Sequence, residues 1–307
     1  MKRYEKSFWG RNRLEVEMKI SAFPKCWIED ISEGRMSLFE WIDISESLGC
    51  EGLELYPPFF TETSPAYLRR VRKAVEEKGM VVSMICYSPD FTVPYDEIPR
   101  QIERQREMIR ITAELGGGFC RVLSGQKRPW LDTEEALKQV IYCIESCLAE
   151  AEKNGVVLAI ENHFKDGYWQ YPEFALKKEI FLRIVEAVDS PWFGVQYDPS
   201  NAIVAGDDPL ELLDRVISRV KTVHASDRYI EDGYELSDVM ISMATTGYPA
   251  YLKHGVVGKG LNNYPLIFEK LKSVGYSGWI SIEDGVNGLE EMKESINYLK
   301  TMRDRYF

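Results

Sequence analysis

No stretch of this chain approaches the roughly 18 consecutive apolar residues that a membrane span requires. The leader, Met1 to Leu14, mixes Lys2, Arg3, Lys6, Arg11 and Arg13 with only Tyr4, Phe8, Trp9 and Leu14 as large apolar residues, so it lacks the apolar core of a signal peptide. Positive charge is also short: 38 Lys and Arg against 49 Asp and Glu give a net charge of -11, which disfavours a nucleic-acid surface or an anionic membrane as partner. The six cysteines, Cys26, Cys50, Cys86, Cys120, Cys143 and Cys147, form no Cys-x-x-Cys pair or dense framework, which predicts reduced thiols in a cytoplasmic protein. Nor does a Gly-x-Gly-x-x-Gly follow the first strand-like run, as an open doubly wound dinucleotide fold would require.

What the 307 residues do contain, 45% of them hydrophobic, is an eightfold alternation. Strand-like runs fall at about Val16–Pro24, Gly52–Tyr56, Val81–Tyr87, Phe119–Ser124, Val156–Asn162, Phe193–Asp198, Val220–Ala225 and Trp279–Glu283. Several are nearly continuous in apolar residues, as suits strands buried on both faces of a parallel sheet. Helical spacing occupies Ser37–Leu48, Pro65–Lys78, Ile98–Leu115, Thr133–Lys153, Tyr171–Val188, Pro209–Arg219, Asn263–Val274 and Leu289–Met302. Gly49, Gly79, Gly116, Gly155 and Gly275 follow helices where a left-handed residue is expected, and Ser64 and Asp132 are candidate N-caps. The pattern predicts an α/β fold, a (β/α)8 TIM barrel, with its site at the C-terminal ends of the strands. Residues 1–15 read as an N-terminal leader and 16–307 as one barrel domain. The connection from Asp227 to Gly260, after the seventh strand, is abnormally long and rich in tyrosine, and predicts a lid-like insertion at about 229–257 or, alternatively, an oligomer contact.

Glu161, Asp198, His224 and Glu283 stand at the ends of strands five to eight, and four such residues in register predict a metal site in the barrel mouth. Three carboxylates and one imidazole suit one divalent ion, Mn²⁺ first, with Mg²⁺, Co²⁺ or Zn²⁺ also compatible. Such an ion polarises a sugar carbonyl and favours loss of the neighbouring C–H proton. Glu161 and Glu283, on nonadjacent strands, are the expected acid/base pair, placed to approach opposite faces of one carbon. His163 lies two residues beyond Glu161, on the same side of an extended chain, and is a third candidate for acid/base or substrate contact.

Further candidates for substrate contact are Glu54 and Arg121 at the ends of strands two and four, with a structural ion pair as the alternative, and His254 in the insertion. Trp27, Trp130 and Trp169, with Tyr56 and Phe59, form an expected aromatic lip on which apolar sugar faces stack.

Ala-Ile-Glu-Asn-His at 159–163, Gln-Tyr-Asp-Pro-Ser-Asn at 196–201, Val-His-Ala-Ser-Asp-Arg at 223–228, Gly-Val-Val-Gly-Lys-Gly at 255–260 and Gly-Trp-Ile-Ser-Ile-Glu-Asp-Gly at 278–285 together resemble the xylose isomerase-like sugar isomerase/epimerase superfamily, over roughly residues 16–303. That resemblance implies a metal bound by Glu161, Asp198, His224 and Glu283, with the first and last doubling as acid and base, and a metal-dependent isomerase or epimerase of a ketose or keto-sugar. Asn201 stands where the ketose epimerases place a substrate-binding histidine, and Arg228 resembles the arginine that follows their metal histidine. His163 and the Tyr-rich insertion also resemble the large subunit of C-glycoside deglycosidases, which implies, as the alternative, a lyase acting on 3-oxo-glycosides with a small partner subunit; otherwise a homo-oligomer is expected. A non-catalytic sugar-binding barrel is the third reading. A repair endonuclease of the same superfamily would need more histidines than the three present.

Overall fold

Eight parallel strands close on one another in the computed structural model, which describes residues 18–283 and 285–307. The expected leader, residues 1–15, lies outside them. In chain order the strands are β1 (Lys19–Ala22), β2 (Gly52–Leu55), β3 (Val81–Ile85), β4 (Phe119–Val122), β5 (Val157–Glu161), β6 (Phe193–Tyr197), β7 (Val220–Ala225), β8 (Asp227–Ile230), β9 (Leu252–Gly255) and β10 (Trp279–Ile282). The barrel runs β1-β10-β7-β6-β5-β4-β3-β2, while β8 and β9 pair separately as an antiparallel hairpin. Closure through β1 and β10, paired from Lys19↔Trp279 to Ala22↔Ile282, is the TIM barrel and rules out the open sheet.

Around it lie α1 (Ile28–Ser32), α2 (Leu38–Ser45), α3 (Pro65–Glu77), α4 (Ile98–Glu114), α5 (Thr133–Asn154), α6 (Lys178–Ala187), α7 (Pro199–Ala205), α8 (Pro209–Val216), α9 (Leu236–Thr245), α10 (Tyr264–Ser273) and α11 (Leu289–Tyr306). Their starts follow local chemistry. Ser64 accepts from Tyr67 N ahead of Pro65, and Asp132 accepts from Glu135 N, each satisfying an N–H that the helix leaves unpaired. Gly49, Gly79, Gly116, Gly155 and Gly275 all take positive φ after their helices, as the sequence predicts. Apolar faces such as Phe268 and Leu271 of α10 and Ile296 and Leu299 of α11 are fully buried, each contributing about 1.5–3 kcal/mol. Among the described residues no helix is long and apolar enough to cross a membrane.

Two elements differ from expectation. The helix expected over Tyr171–Val188 begins only at Lys178, because the preceding residues pair with the loop after β4 instead: Lys127 N donates to Pro172 O at 2.8 Å and Phe174 N to Gly125 O at 2.7 Å. Tertiary hydrogen bonds there override helical periodicity. The insertion is an ordered unit, with β8 and β9 as its stem and α9 between them. Val204 of α7, Val239 and Leu252 form its own small core, against which Phe164 of the loop after β5 packs.

Asp227 fastens this unit to the barrel. Its Oδ2 accepts from Gly258 N at 2.9 Å and Gly260 N at 3.0 Å, and its Oδ1 from Arg228 N at 3.0 Å and Asn262 N at 3.2 Å. A Cβ at Gly260 would stand 2.3 Å from Arg228 O, so only glycine permits the approach. Replacing Asp227 by Ala strands four backbone donors, and a loss of about 3 kcal/mol is expected in denaturant unfolding, with faster hydrogen exchange at Gly258 and Gly260. Stability within about 0.5 kcal/mol of the parent would show that water replaces the carboxylate without cost.

Candidate metal centre and catalytic cavity

Strand order carries the candidate ligands to one place. Glu161 ends β5, Asp198 follows β6, His224 is the penultimate residue of β7 and Glu283 follows β10, on four strands that are consecutive around the barrel. One ligand atom from each lies within 4.8 Å of all the others. Glu161, Asp198 and His224 are all but inaccessible, at 0 to 1% exposure, and Glu283 is 9% exposed.

His224 is aimed by a residue on the far side of the barrel. Its Nε2 lies 2.8 Å from Glu54 Oε2, which leaves Nδ1 facing Glu161 Oε1 at 3.3 Å and Glu283 Oε2 at 3.8 Å. A carboxylate on one ring nitrogen fixes the tautomer that presents the other to a metal. Glu54, expected as a substrate contact or a structural ion pair, is fully buried against His224, with Cys86 Sγ 3.4 Å away and kept a thiol by burial, which pushes it up to about 12. The donor set fits a divalent ion, since three carboxylates converge on an imidazole nitrogen whose other nitrogen is already occupied.

Asp198 is held twice over, as N-cap of α7 through Asn201 N at 2.9 Å and by Ser226 Oγ at 2.8 Å. Burial, together with the Glu161 and Glu283 charges, lifts its carboxyl from 3.8 to about 6. Glu161 behaves oppositely. Burial opposes its charge, yet His224, His163 and Arg121 together hold it well below the usual range, with Arg121 Nη1 2.8 Å from Oε2. Glu283 is likewise kept low, at about 2, because Lys25 and His224 outweigh its burial. Lys25 Nζ stands 3.2 Å from Glu283 Oε1.

Above the ligands opens a cavity of about 350 Å³, whose walls include Lys25, Tyr56, Arg121, His163, Tyr168 and Glu283. Of the four candidate ligands only Glu283 reaches its wall. Both oxygens of Glu161 are engaged below, Oε2 by Arg121 and Oε1 by Asn201 Nδ2 at 3.2 Å and His224. His163 lines the cavity and carries Nδ1 3.3 Å from Oε2 of the buried Glu173. Although burial disfavours its charge, Glu161 and Glu173 raise it above the ordinary imidazole value.

The remaining candidates are dispersed. Asn201 braces Glu161 rather than lining the cavity, and Arg228 donates to Tyr248 Oη and lies 3.1 Å from His254 Nε2, across the β8–β9 hairpin. Burial and the Arg228 charge push His254 down to about 3, so it is neutral. Trp27 packs on Trp41 at 5.6 Å, Trp130 is 72% exposed and meets Tyr171 edge-on beside a different hollow, and Trp169 lines an adjoining one with Tyr56 and Tyr168. The three tryptophans of the expected aromatic lip thus make three separate contacts. Sequence reasoning passed over Lys25 and Glu173. Lys25 carried the usable signal, a charge just after the first strand; Glu173 carried none, because it sits within the segment that reads as helix.

A family model described as the xylose isomerase-like TIM barrel matches residues 42–302. An inosose dehydratase of Geobacillus thermodenitrificans is 23% identical over 288 residues, covering 88% of this chain and 90% of that protein. Among solved structures, a D-tagatose 3-epimerase-like protein superimposes with a TM-score of 0.73 at 19% identity, covering 94% of this chain and 98% of that one. The IOLI protein, crystallised with a zinc atom, gives 0.72 at 15% identity, covering 94% and 99%.

Two measurements test the centre. Glu54→Ala is expected to keep the fold and weaken divalent-ion binding about 10–100-fold by calorimetric titration; unchanged affinity would mean that His224 needs no partner. Because the folded Asp198 holds its proton more tightly than the unfolded chain does, the metal-free protein gains stability as pH falls through about 6 toward 3.8. An ion must displace that proton and the one that Glu54, Glu161 and Glu283 hold on His224 against its burial, so affinity should fall with pH throughout and about tenfold more steeply per pH unit below 6; an unchanged slope across pH 6 would remove Asp198 from the ligand set.

Proposed function

Because the chain belongs to the xylose isomerase-like TIM barrel family, we propose that it removes the proton beside the carbonyl of a polyhydroxylated ketone, a keto-sugar or ketocyclitol, and carries the reaction on to loss of water. The observation that supports this most is that two different proton-handling groups, Glu283 and His163, line one cavity above the candidate metal ligands while Glu161 is locked against Arg121 beneath it. Glu161, Asp198, His224 and Glu283 would hold a divalent ion, Mn²⁺ or Zn²⁺ by their donor chemistry, which would supply Lewis-acid chemistry at the substrate's carbonyl.

The protein's own groups do the rest. Glu283, ionised beside Lys25, takes the C–H proton, and His163 gives a proton to the hydroxyl on the next carbon. As that C–O bond breaks, the electron pair of the lost C–H bond becomes the new C=C bond, and the hydroxyl leaves as water. Lys25 and Arg121 are cationic hydrogen-bond donors in the wall, suited to hold the substrate's oxygens. A dehydration is also the activity for which relatives such as the Geobacillus protein are named.

The second reading is epimerisation, favoured by the closeness of Glu161 and Glu283 within one ligand cluster. Incubating the metal-loaded protein with inososes and free ketoses in deuterated water, followed by mass spectrometry, separates the two. Dehydration gives a product lighter by one water; epimerisation gives a deuterated isomer. Glu283→Gln should lower deuterium exchange at least about 10²-fold, whereas His163→Ala should leave exchange and lose dehydration. No exchange into any substrate by the loaded parent protein would sink the proposal.

A further inference from the structure

We infer that the catalytic cavity continues into a second subsite for an uncharged, hydroxylated ring attached to the reacting ketone, so that a glycoside of a keto-sugar or ketocyclitol is preferred over the free compound; this deepens the proposed function and rests on it. Two hollows meet here. The cavity of about 350 Å³ above the candidate ligands and a second of about 270 Å³ share Tyr56, Asp166 and Tyr168 as walls. The remaining wall of the second includes Tyr87, Trp169, Pro58 and Ser88, so its surface is mostly rings, with few polar groups among them. The apolar faces of a sugar ring pack on such a surface, while its hydroxyls need partners at the edge.

Asp166 stands where the hollows join and is only 8% exposed. Its Oδ1 accepts from Tyr168 N at 3.0 Å and its carbonyl oxygen from Trp169 N at 3.1 Å, a local turn that fixes the side chain. Its other oxygen is unused. Oδ2 accepts no hydrogen bond and the group forms no ion pair among the described residues, yet this oxygen is not sealed from solvent. It is therefore an acceptor for a ligand's hydroxyls, and hydrogen bonds to a charged group are among the stronger that a protein makes. Ser88 supplies a donor: its Oγ accepts from Arg121 Nη2 at 2.9 Å, which leaves the hydroxyl hydrogen for an oxygen in the hollow. A second donor is the Tyr56 phenol, kept protonated by burial first and then by the Asp166 charge. No lysine or arginine lines the second hollow, so a phosphate there would meet the carboxylate without a counter-charge. A ring without hydroxyls would use the aromatic faces and leave Asp166 and Ser88 unpaired.

Calorimetric titration with sugars that carry no ketone reads the subsite without turnover. The probes are methyl β-glucoside, with one ring, phenyl β-glucoside, whose second ring has no hydroxyl, and the disaccharides cellobiose, maltose and gentiobiose. At least one disaccharide is expected to bind about tenfold or more tighter than methyl β-glucoside, and tighter than phenyl β-glucoside. Asp166→Asn keeps an oxygen for Tyr168 N and removes the charge, so the turn survives while the ratio of disaccharide to methyl glucoside affinity should fall about threefold or more. Tyr87→Leu, at a residue that lines the second hollow and not the first, should lower the affinity ratios of the disaccharide and of phenyl β-glucoside to methyl β-glucoside alike. Disaccharides that bind no tighter than methyl β-glucoside, or do not bind, overturn the inference. So does a phenyl glucoside that binds best and is indifferent to Asp166→Asn, and so does an equal loss of one-ring and two-ring probes in both variants, which would make these residues structural. If the parent prefers a disaccharide but neither exchanges nor dehydrates any ketone, the subsite stands and the proposed reaction fails; if it dehydrates inososes without that preference, the reverse holds.

Discussion

Burying several acids around one imidazole is the constraint on which the rest of this molecule depends. Glu54, Glu161 and Asp198 are nearly inaccessible, and Glu283 only slightly less so, although taking a carboxylate out of water costs several kcal/mol after relaxation. The barrel offsets this cost unequally. Glu161 and Glu283 are held ionised by cations, Arg121 from β4 and Lys25 from beyond β1, whereas Asp198 has only neutral donors and is lifted toward neutrality. His224 joins the two sides of the barrel, with Glu54 on one nitrogen and the acid cluster on the other.

That arrangement leaves the acids unequally exposed to the cavity. Glu161 has the residue type and strand position of an acid/base group, yet its oxygens are occupied by Arg121, Asn201 and His224. Glu283 and His163, by contrast, reach the cavity. The insertion borders this region: its small core packs on Phe164, directly after His163, and Asp227 clamps its stem to the barrel. The loop carrying His163 is thus braced from two directions, by the insertion on one side and by the Ser124–Glu173 contacts on the other.

How much could be read from residues alone follows from the range of the interactions involved. Apolar periodicity and the glycines after helices are local signals, and they located all eight barrel strands to within a few residues. That the four candidate ligands would converge was legible for the same reason: each stands at a strand end, and a parallel barrel brings all such ends to one face. Where local signals misled, tertiary hydrogen bonds had overridden them. The segment before α6 has helical spacing but pairs with the loop after β4, which hid Glu173, while the expected insertion is a hairpin and helix with its own core.

The sequence by itself determined the α/β alternation, the barrel and the set of four ligand-type residues, because those depend on patterns within one element and on the rule that parallel strands share a direction. Only the tertiary structure decided what each polar side chain faces. Glu54 and Glu283 are both glutamates at strand ends, yet one turns inward to hold an imidazole and the other opens on a cavity. Trp27, Trp130 and Trp169 all follow strands, yet they end in three different places. Residue type and position along a strand define a face of the barrel; contacts between residues distant in sequence, such as His224 with Glu54, 170 positions apart, assign the role.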